Sequence, residues 1–220
     1  MNRFALVLAS SLLAASAAHA QVGLRVGGSL SRLHTTDGTN VYNSSGSKPG
    51  YQVGVTYQVP LRKGLALVPE VQYSNERMTL APASYAVYDV GFTADYRLSL
   101  HYLNVPILVR ATLGPVYLEL GPQASFLLGG RQTGTLTTTS WGFGPLVTTS
   151  DVDQRVTEEN RRFDAGPCAG VGVRLPAGLG LSLRAYRGLV TLNHERSTFD
   201  GEHQRQSVQA SLTYQLPARQ

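Results

Sequence analysis

The residues that could do covalent chemistry are His101, His194 and His203, Ser99, Ser197 and Ser207, and Glu195 and Glu202. A serine activated by a histidine that an acid orients is the arrangement of acyl transfer, as in a lipid-modifying enzyme. His194-Glu195 and Glu202-His203 share one stretch, but no G-x-S-x-G nucleophile turn occurs. The same four residues fit no standard metal-ligand spacing. Cys168 is the single cysteine, so it closes no internal disulfide and completes no Cys-based metal centre. Gly27-Gly28 and Gly129-Gly130 open no helix and so cradle no phosphate. No catalytic residue, metal or cofactor is expected, and the chain is read as a non-enzyme.

A second group of charges follows a different rule. Arg25, Glu70, Arg110, Glu119, Asp164, Arg174 and Arg184 each stand in a segment where apolar and polar residues alternate, and each falls on the polar phase. Gln52, Gln58, Gln72, Gln123, Gln209 and Gln215 share that phase. Charges of both signs on one face of a sheet imply an ionic network if that face is enclosed, because an unpaired buried charge carries a large desolvation cost. Four arginines against three acids would leave a net +1, compatible with a plug or with a narrow, weakly anion-selective pore.

The elements that position these charges are eight period-2 segments, the signature of β-strands. They cover roughly 22–32, 50–59, 65–75, 96–112, 116–128, 163–175, 179–190 and 205–216. Apolar residues hold the other phase: Val22, Leu24 and Val26 in the first, Leu179, Leu181 and Leu183 in the seventh. In the fourth, Leu98, Leu100 and Tyr102 keep one phase and Leu103, Val105 and Ile107 the other, so a β-bulge is expected near Tyr102-Leu103. Short turns at 60–64, 113–115 and 176–178 alternate with long polar loops at 34–50, 76–95 and 130–162. The loops hold Tyr85, Tyr88, Phe92, Trp141 and Phe143, candidates for contact with a surface ligand or for the headgroup level of a membrane. A Thr-rich tract runs from Thr133 to Thr139.

Short turns on one side and long loops on the other describe a transmembrane β-barrel of the bacterial outer membrane. Met1-Asn2-Arg3, the apolar run Phe4–Leu13 and Ala18-His19-Ala20 read as a secretory signal peptide over residues 1–20, cleaved before Gln21. Residues 21–220 then form one domain. Only 15% of the chain is charged, as a membrane wall requires. The pI near 9.5 raises nucleic acid as a partner, but the basic residues are scattered and no nucleic-acid role is expected. The expected fold is all-β, an eight-stranded antiparallel up-and-down transmembrane β-barrel, monomeric, with outer membrane lipid and the outer membrane assembly machinery as its partners. The expected function is structural or surface interaction through the loops around a polar, plugged interior. A narrow channel or carrier for small or hydrophobic solutes is the alternative, and a lipid-modifying enzyme the third. Cys168 is expected inside, among glycines.

Several motifs are similar to a known family. Leu67-Val68-Pro69-Glu70-Val71-Gln72-Tyr73-Ser74 resembles the third strand of the PorT-like outer membrane β-barrel family of Bacteroidetes. Tyr102-Leu103-Asn104-Val105-Pro106-Ile107-Leu108-Val109-Arg110 also resembles that family. Gly114-Pro115-Val116-Tyr117 with Gly121-Pro122 resembles its fifth strand, and Phe163-Asp164-Ala165-Gly166 through Gly170-Val171-Gly172 its sixth. The resemblance implies an outer-membrane location and accounts for Pro69, Pro106 and Pro122 inside strands. It implies little about activity. Two features depart from the pattern: Asn104 stands where the family often has an acid, and the chain ends Leu216-Pro217-Ala218-Arg219-Gln220, where such barrels often end on an aromatic residue. Tyr214 is the nearest candidate for that role.

Overall fold

The computed structural model describes residues 21–36, 45–141, 144, 146–155, 162–190 and 202–217. Nine strands appear among them: β1 Gln21–Thr36, β2 Ser45–Arg62, β3 Leu65–Val87, β4 Val90–Leu113, β5 Val116–Ser140, β6 Leu146–Arg155, β7 Phe163–Arg174, β8 Leu179–Arg187 and β9 Glu202–Gln215. The segment read as a signal peptide lies outside the described residues, as do Phe143, His194, Glu195 and Ser197.

Eight of the strands close a ring. Each pairs antiparallel with its neighbour in the order β1, β2, β3, β4, β5, β7, β8, β9. The ring shuts where β1 pairs β9, from Gly23 opposite Gln215 to Thr36 opposite Glu202. Closure leaves the ring no edge strand, which is what lets a sheet stand in lipid with its backbone groups satisfied. Strand β6 is the ninth. It joins no ring contact but pairs with the far half of β5, Arg131 opposite Arg155 through Ser140 opposite Leu146.

The two faces of the wall decide between a membrane barrel and a soluble sandwich, which periodicity alone cannot do. Leu24, Val26, Val53, Val71, Leu118, Leu181 and Leu212 point outward and are exposed. Arg25, Glu70, Glu119 and Arg184 point inward and are buried. A water-soluble fold buries its apolar face and exposes its charges. This one is inverted, so its outer solvent is hydrocarbon. On β1 the outward apolar run from Val22 to Leu30 is nine residues, matching the roughly 9–11 residues with which a tilted strand spans the bilayer core.

The short turns stand where the sequence places them. Gly64 and Gly114 adopt φ of +80° and +62° there, a left-handed conformation that costs glycine little. The other end differs from expectation. Residues 76–87 and 90–95 continue β3 and β4 to a tight turn at Tyr88-Asp89, so the expected loop 76–95 is a hairpin. Residues 131–140 and 146–155 make a second hairpin inside the expected loop 130–162. β1 and β2 likewise extend to Thr36 and from Ser45, into the expected loop 34–50. The physical reason is common to all three. Beyond the membrane the outward positions meet water, so the hydrophobic alternation stops while the backbone ladder does not. The threonines of β5, β-branched and suited to a pleated wall, support that continuation.

The expected phase change in β4 is also corrected. Leu98, Leu100 and Tyr102 are buried on the same inward face as Asn104, Leu108 and Arg110. The irregularity belongs to β5: His101 pairs Gly129 while Tyr102 pairs Leu127, which leaves Leu128 as the extra residue. Leu98, Leu100 and Tyr102 are apolar because they line the barrel's outer interior, packing with Met78 and Leu127.

Prolines occupy breaks in the ladder. β3–β4 pairing runs to Pro69 opposite Ile107 and resumes at Gln72 opposite Asn104. β4–β5 pairing runs to Pro106 opposite Gln123 and resumes at Val109 opposite Leu120. Proline lacks an N–H and is tolerated where the ladder is already interrupted. Gly121 sits in the second break, and a Cβ there would collide with the Ile107 carbonyl oxygen. Gly129 has open space. Gly121→Ala is therefore expected to destabilise the barrel by about 1–3 kcal/mol, as overpacking does, with Gly129→Ala near neutral. Urea unfolding followed by gel heat-modifiability checks this; equal midpoints for the two variants would refute the close approach.

Candidate functional site

The barrel interior holds the densest set of functional groups, arranged in two storeys. In the first, Arg184 on β8 donates from Nη1 and Nη2 to the two carboxylate oxygens of Glu70 on β3, at 2.7 and 2.6 Å. Its Nε donates to Glu119 Oε2 on β5 at 2.7 Å. The ring order puts β8 and β3 on opposite walls, so the forked Arg184–Glu70 pair crosses the lumen. Arg110 Nε donates to the other Glu119 oxygen at 2.8 Å, and its guanidinium lies 4.4 Å from the Tyr117 ring centre. Arg25 Nε stands 3.7 Å from Glu70 Oε2, and Gln72 donates to the same carboxylate. Side-chain exposure of Arg25, Glu70, Glu119 and Arg184 is 0–1%.

The second storey centres on Arg205 of β9. Its Nε lies 3.7 Å from Glu76 Oε2 and 3.9 Å from Asp164 Oδ2. Nη2 donates to Ser125 Oγ at 3.0 Å and to Asn104 Oδ1 at 3.3 Å. The guanidinium is stacked between Tyr102 and Tyr186, at 4.1 and 4.7 Å from their ring centres. Such a cation–π sandwich suits a desolvated arginine. Tyr186 in turn donates to Asp164 Oδ2 at 2.9 Å. Cys168 is buried against Leu108 and Tyr186.

The sequence reading placed Arg25, Glu70, Arg110, Glu119, Asp164, Arg174 and Arg184 in one network. Arg174 is corrected. It lies at the end of β7 beside the short turns, exposed, and donates to the Gly114 carbonyl at 2.9 Å. Its phase is inward, but the lumen has ended at its level. Arg205 and Glu76 were missed: Arg205 opens its strand before the apolar alternation starts, and Glu76 falls where the alternation of β3 has stopped. With these changes the buried set among the described residues is Arg25, Arg110, Arg184 and Arg205 against Glu70, Glu76, Glu119 and Asp164. Four cations minus four anions gives zero, so the expected +1 and its anion selectivity lose their basis.

Among the described residues the histidine and serine candidates form no Ser–His–acid set, although Ser99 and His101 both lie within hydrogen-bond distance of Asn75 Nδ2. His101 faces outward, where its Nδ1 lies 2.7 Å from the Tyr73 hydroxyl. Ser99, also outward, accepts from Asn75 Nδ2 at 3.1 Å, while Ser207 is buried on the inward face. Glu202 and His203 lie at the start of β9. Among the described residues no cluster of metal ligands forms. Of the aromatic candidates, Tyr85 pairs with Phe92 across the β3–β4 hairpin, Tyr88 is fully exposed at its turn, and Trp141 is half-exposed over Gly91. On the β5–β6 hairpin Arg131 forks onto Asp153, holding that carboxyl below the usual carboxylate range by hydrogen bonding.

The trans-lumen bridge makes a measurable demand. Removing one partner of a buried ion pair typically costs about 3–5 kcal/mol because the other charge is left uncompensated. Arg184→Met is expected to lower barrel stability by that order, and Glu70→Gln to act through the same bridge, so that the two losses are not additive. Urea titration of the single and double variants in micelles measures the coupling. Strict additivity, or an Arg184→Met loss below about 0.5 kcal/mol, typical of a surface change, would remove Arg184 as the central tie.

A search of the curated proteins finds no significant match. Among solved structures, Neisserial surface protein A (NspA) matches with 13% identity and a TM-score of 0.44, over 89% of this chain and 97% of its own. The attachment invasion locus protein Ail of Yersinia pestis, solved with the heparin analogue sucrose octasulfate, matches with 11% identity and a TM-score of 0.44, over 90% of this chain and 99% of its own. The COG4313 outer membrane channel of Pseudomonas putida F1 matches at 10% identity and a TM-score of 0.31, over 89% and 95%. These likenesses are too distant to carry function. The model of the outer membrane protein beta-barrel domain matches residues 13–192, most of the chain, and the protein belongs to that family of the bacterial outer membrane.

Proposed function

We propose that this outer membrane barrel is a non-enzymatic structural and surface-interaction protein with a closed interior. The observation that carries the reading is the Arg184 bridge, which ties β8 to β3 and β5 through the middle of the lumen with its charges fully enclosed. An eight-stranded barrel has room inside for side chains and little else, and here those side chains hold one another across the gap. The working surface is then the tall wall of β3, β4, β5 and β6, which rises past the apolar band at the end opposite the short turns. By the usual design that end faces the medium. Tyr88 and Trp141 stand at its rim, exposed to a surface ligand. The order of the Leu67–Ser74, Tyr102–Arg110 and Phe163–Gly172 motifs supports a place in the PorT-like branch. The n-, h- and A-x-A pattern of residues 1–20 supports export and cleavage before Gln21. Tyr214, outward on β9, supports recognition by the assembly machinery, and the closed ring supports a monomer.

A narrow channel is the second reading, favoured by a separate observation. Arg25 Nη2, Gln52 Oε1, Gln209 Oε1 and Arg205 Nη1 are buried with no protein hydrogen-bond partner. Unsatisfied groups of this kind call for water, and a wet seam between the storeys is what a small pore would need. Planar-bilayer recording of the mature protein, with folding checked by heat-modifiability, separates the readings. A folded barrel is expected to be electrically silent. Steady openings would transfer the function to transport, with weak ion selectivity given the balanced interior.

A further inference from the structure

The membrane-facing wall carries a groove that the reading above does not use. It lies across β7, β8, β9 and β1 and has a volume of about 710 Å³. Its floor is one cross-strand row of outward residues: Ala169 opposite Ala185, Ala185 opposite Val208, and Val208 opposite Leu30. Elsewhere the band presents leucines, as at Leu181, Leu183 and Leu212. Here two alanines and Pro167 keep the wall low, and a shallow trough results.

The next outward row closes the upper end of the trough. Arg187 pairs with Gln206, and Gln206 with Arg32, so two arginines flank one glutamine. Arg32 Nε donates to Gln206 Oε1 at 3.1 Å, and Arg187 Nη2 to Gln204 Oε1 at 3.4 Å. Each guanidinium is thereby oriented by one nitrogen while its others remain to donate. No acid lines the groove among the described residues. Arg32 is the first outward residue past the apolar run that ends at Leu30, the height at which hydrocarbon gives way to headgroups.

We infer that this groove holds a phosphorylated glycolipid of the lipid A type from the outer leaflet. Its phosphate sits between Arg32 and Arg187, and one acyl chain lies along Ala169, Ala185, Val208 and Leu30. The charge arrangement selects the occupant. Guanidinium forks match the geometry of phosphate, the acid-free edge repels no anion, and an apolar trough directly beneath them suits an acyl chain attached to that phosphate. A soluble anion would have no use for the trough, and a neutral lipid none for the arginines.

The test is native mass spectrometry of the detergent-solubilised full-length mature protein with added lipid A, read beside dephosphorylated lipid A and phosphatidylglycerol. Wild type is expected to retain lipid A in a one-to-one adduct and to retain the other two markedly less. A basic residue near an anionic lipid surface is worth about fivefold in binding, so Arg32→Gln with Arg187→Gln is expected to weaken the adduct roughly 25-fold. Ala185→Trp, which fills the trough and leaves both arginines, is expected to lower retention as well. Arg97→Gln, outside the groove, is expected to leave it unchanged. Heat-modifiability confirms that each variant is folded. Undiminished lipid A binding by the folded double variant would overturn the assignment, as would equal retention of dephosphorylated lipid A. Equal retention of phosphatidylglycerol would replace the glycolipid with any anionic lipid and overturn the stated occupant. None of these outcomes depends on whether the lumen conducts.

Discussion

Arg184 reaches from one wall of the barrel to the other, and much of the interior is arranged around that reach. Its guanidinium saturates Glu70 and shares Glu119 with Arg110, while Arg25 and Gln72 take up what remains of Glu70. In a medium of low effective dielectric none of these charges is tolerable alone. Each therefore constrains the strand that carries it. Five strands, β1, β3, β4, β5 and β8, are held to one another by side chains as well as by the ladder. The second storey repeats the principle with fewer direct bonds: Arg205 is held between two tyrosine faces and two acids at longer range.

The membrane imposes the complementary constraint. Because hydrocarbon surrounds the wall, apolar side chains point out and polar ones in, and the ring must close. The consequences differ along the height of the barrel. At the short turns the strands simply stop. At the far end β3, β4 and β5 continue to Val87, from Val90 and to Ser140, while β7 and β8 stay short. Among the described residues the wall thus rises higher along β3, β4 and β5 than along β7 and β8. The apolar cluster of Met78, Leu98, Leu100, Tyr102 and Leu127 lies on the inward face of the tall side. Through Tyr102 it continues from the Arg205 storey toward the end opposite the short turns.

The strands were legible in the sequence through period-2 alternation, which Val22 to Leu30 and Leu179 to Ala185 display plainly, and the barrel through short turns alternating with long polar segments in a chain of sparse charge. Arg25, Glu70, Arg110, Glu119, Asp164 and Arg184 could be placed by phase alone. Three things were not legible, each for a physical reason. Strand length beyond the membrane carries no hydrophobic signature, so the hairpins of β3–β4 and β5–β6 read as loops. Phase gives the direction of a side chain and not its height, so Arg174 was assigned to a lumen that ends before it. Leu98 and Leu100 were read as outward because apolar residues usually face lipid in such a wall, whereas here they fill the lumen's outer end. Asn104 is instructive as well. Its amide bridges Ser74 and Arg205, a place where the related pattern often has an acid; here Glu76 and Asp164 supply the charge instead.

Cys168 offers the most direct test of a closed interior, because it is the only cysteine and stands inside the lumen against Leu108 and Tyr186. The measurement is the rate at which a small, charged, water-soluble methanethiosulfonate reagent labels it in the folded barrel, compared with the urea-unfolded chain. A lumen closed by the two ionic storeys predicts no labelling while the barrel is folded and complete labelling once it is unfolded. Labelling of the folded barrel at a rate near that of the unfolded chain would show that water-soluble ions enter the lumen past an ionic storey, and would contradict the account.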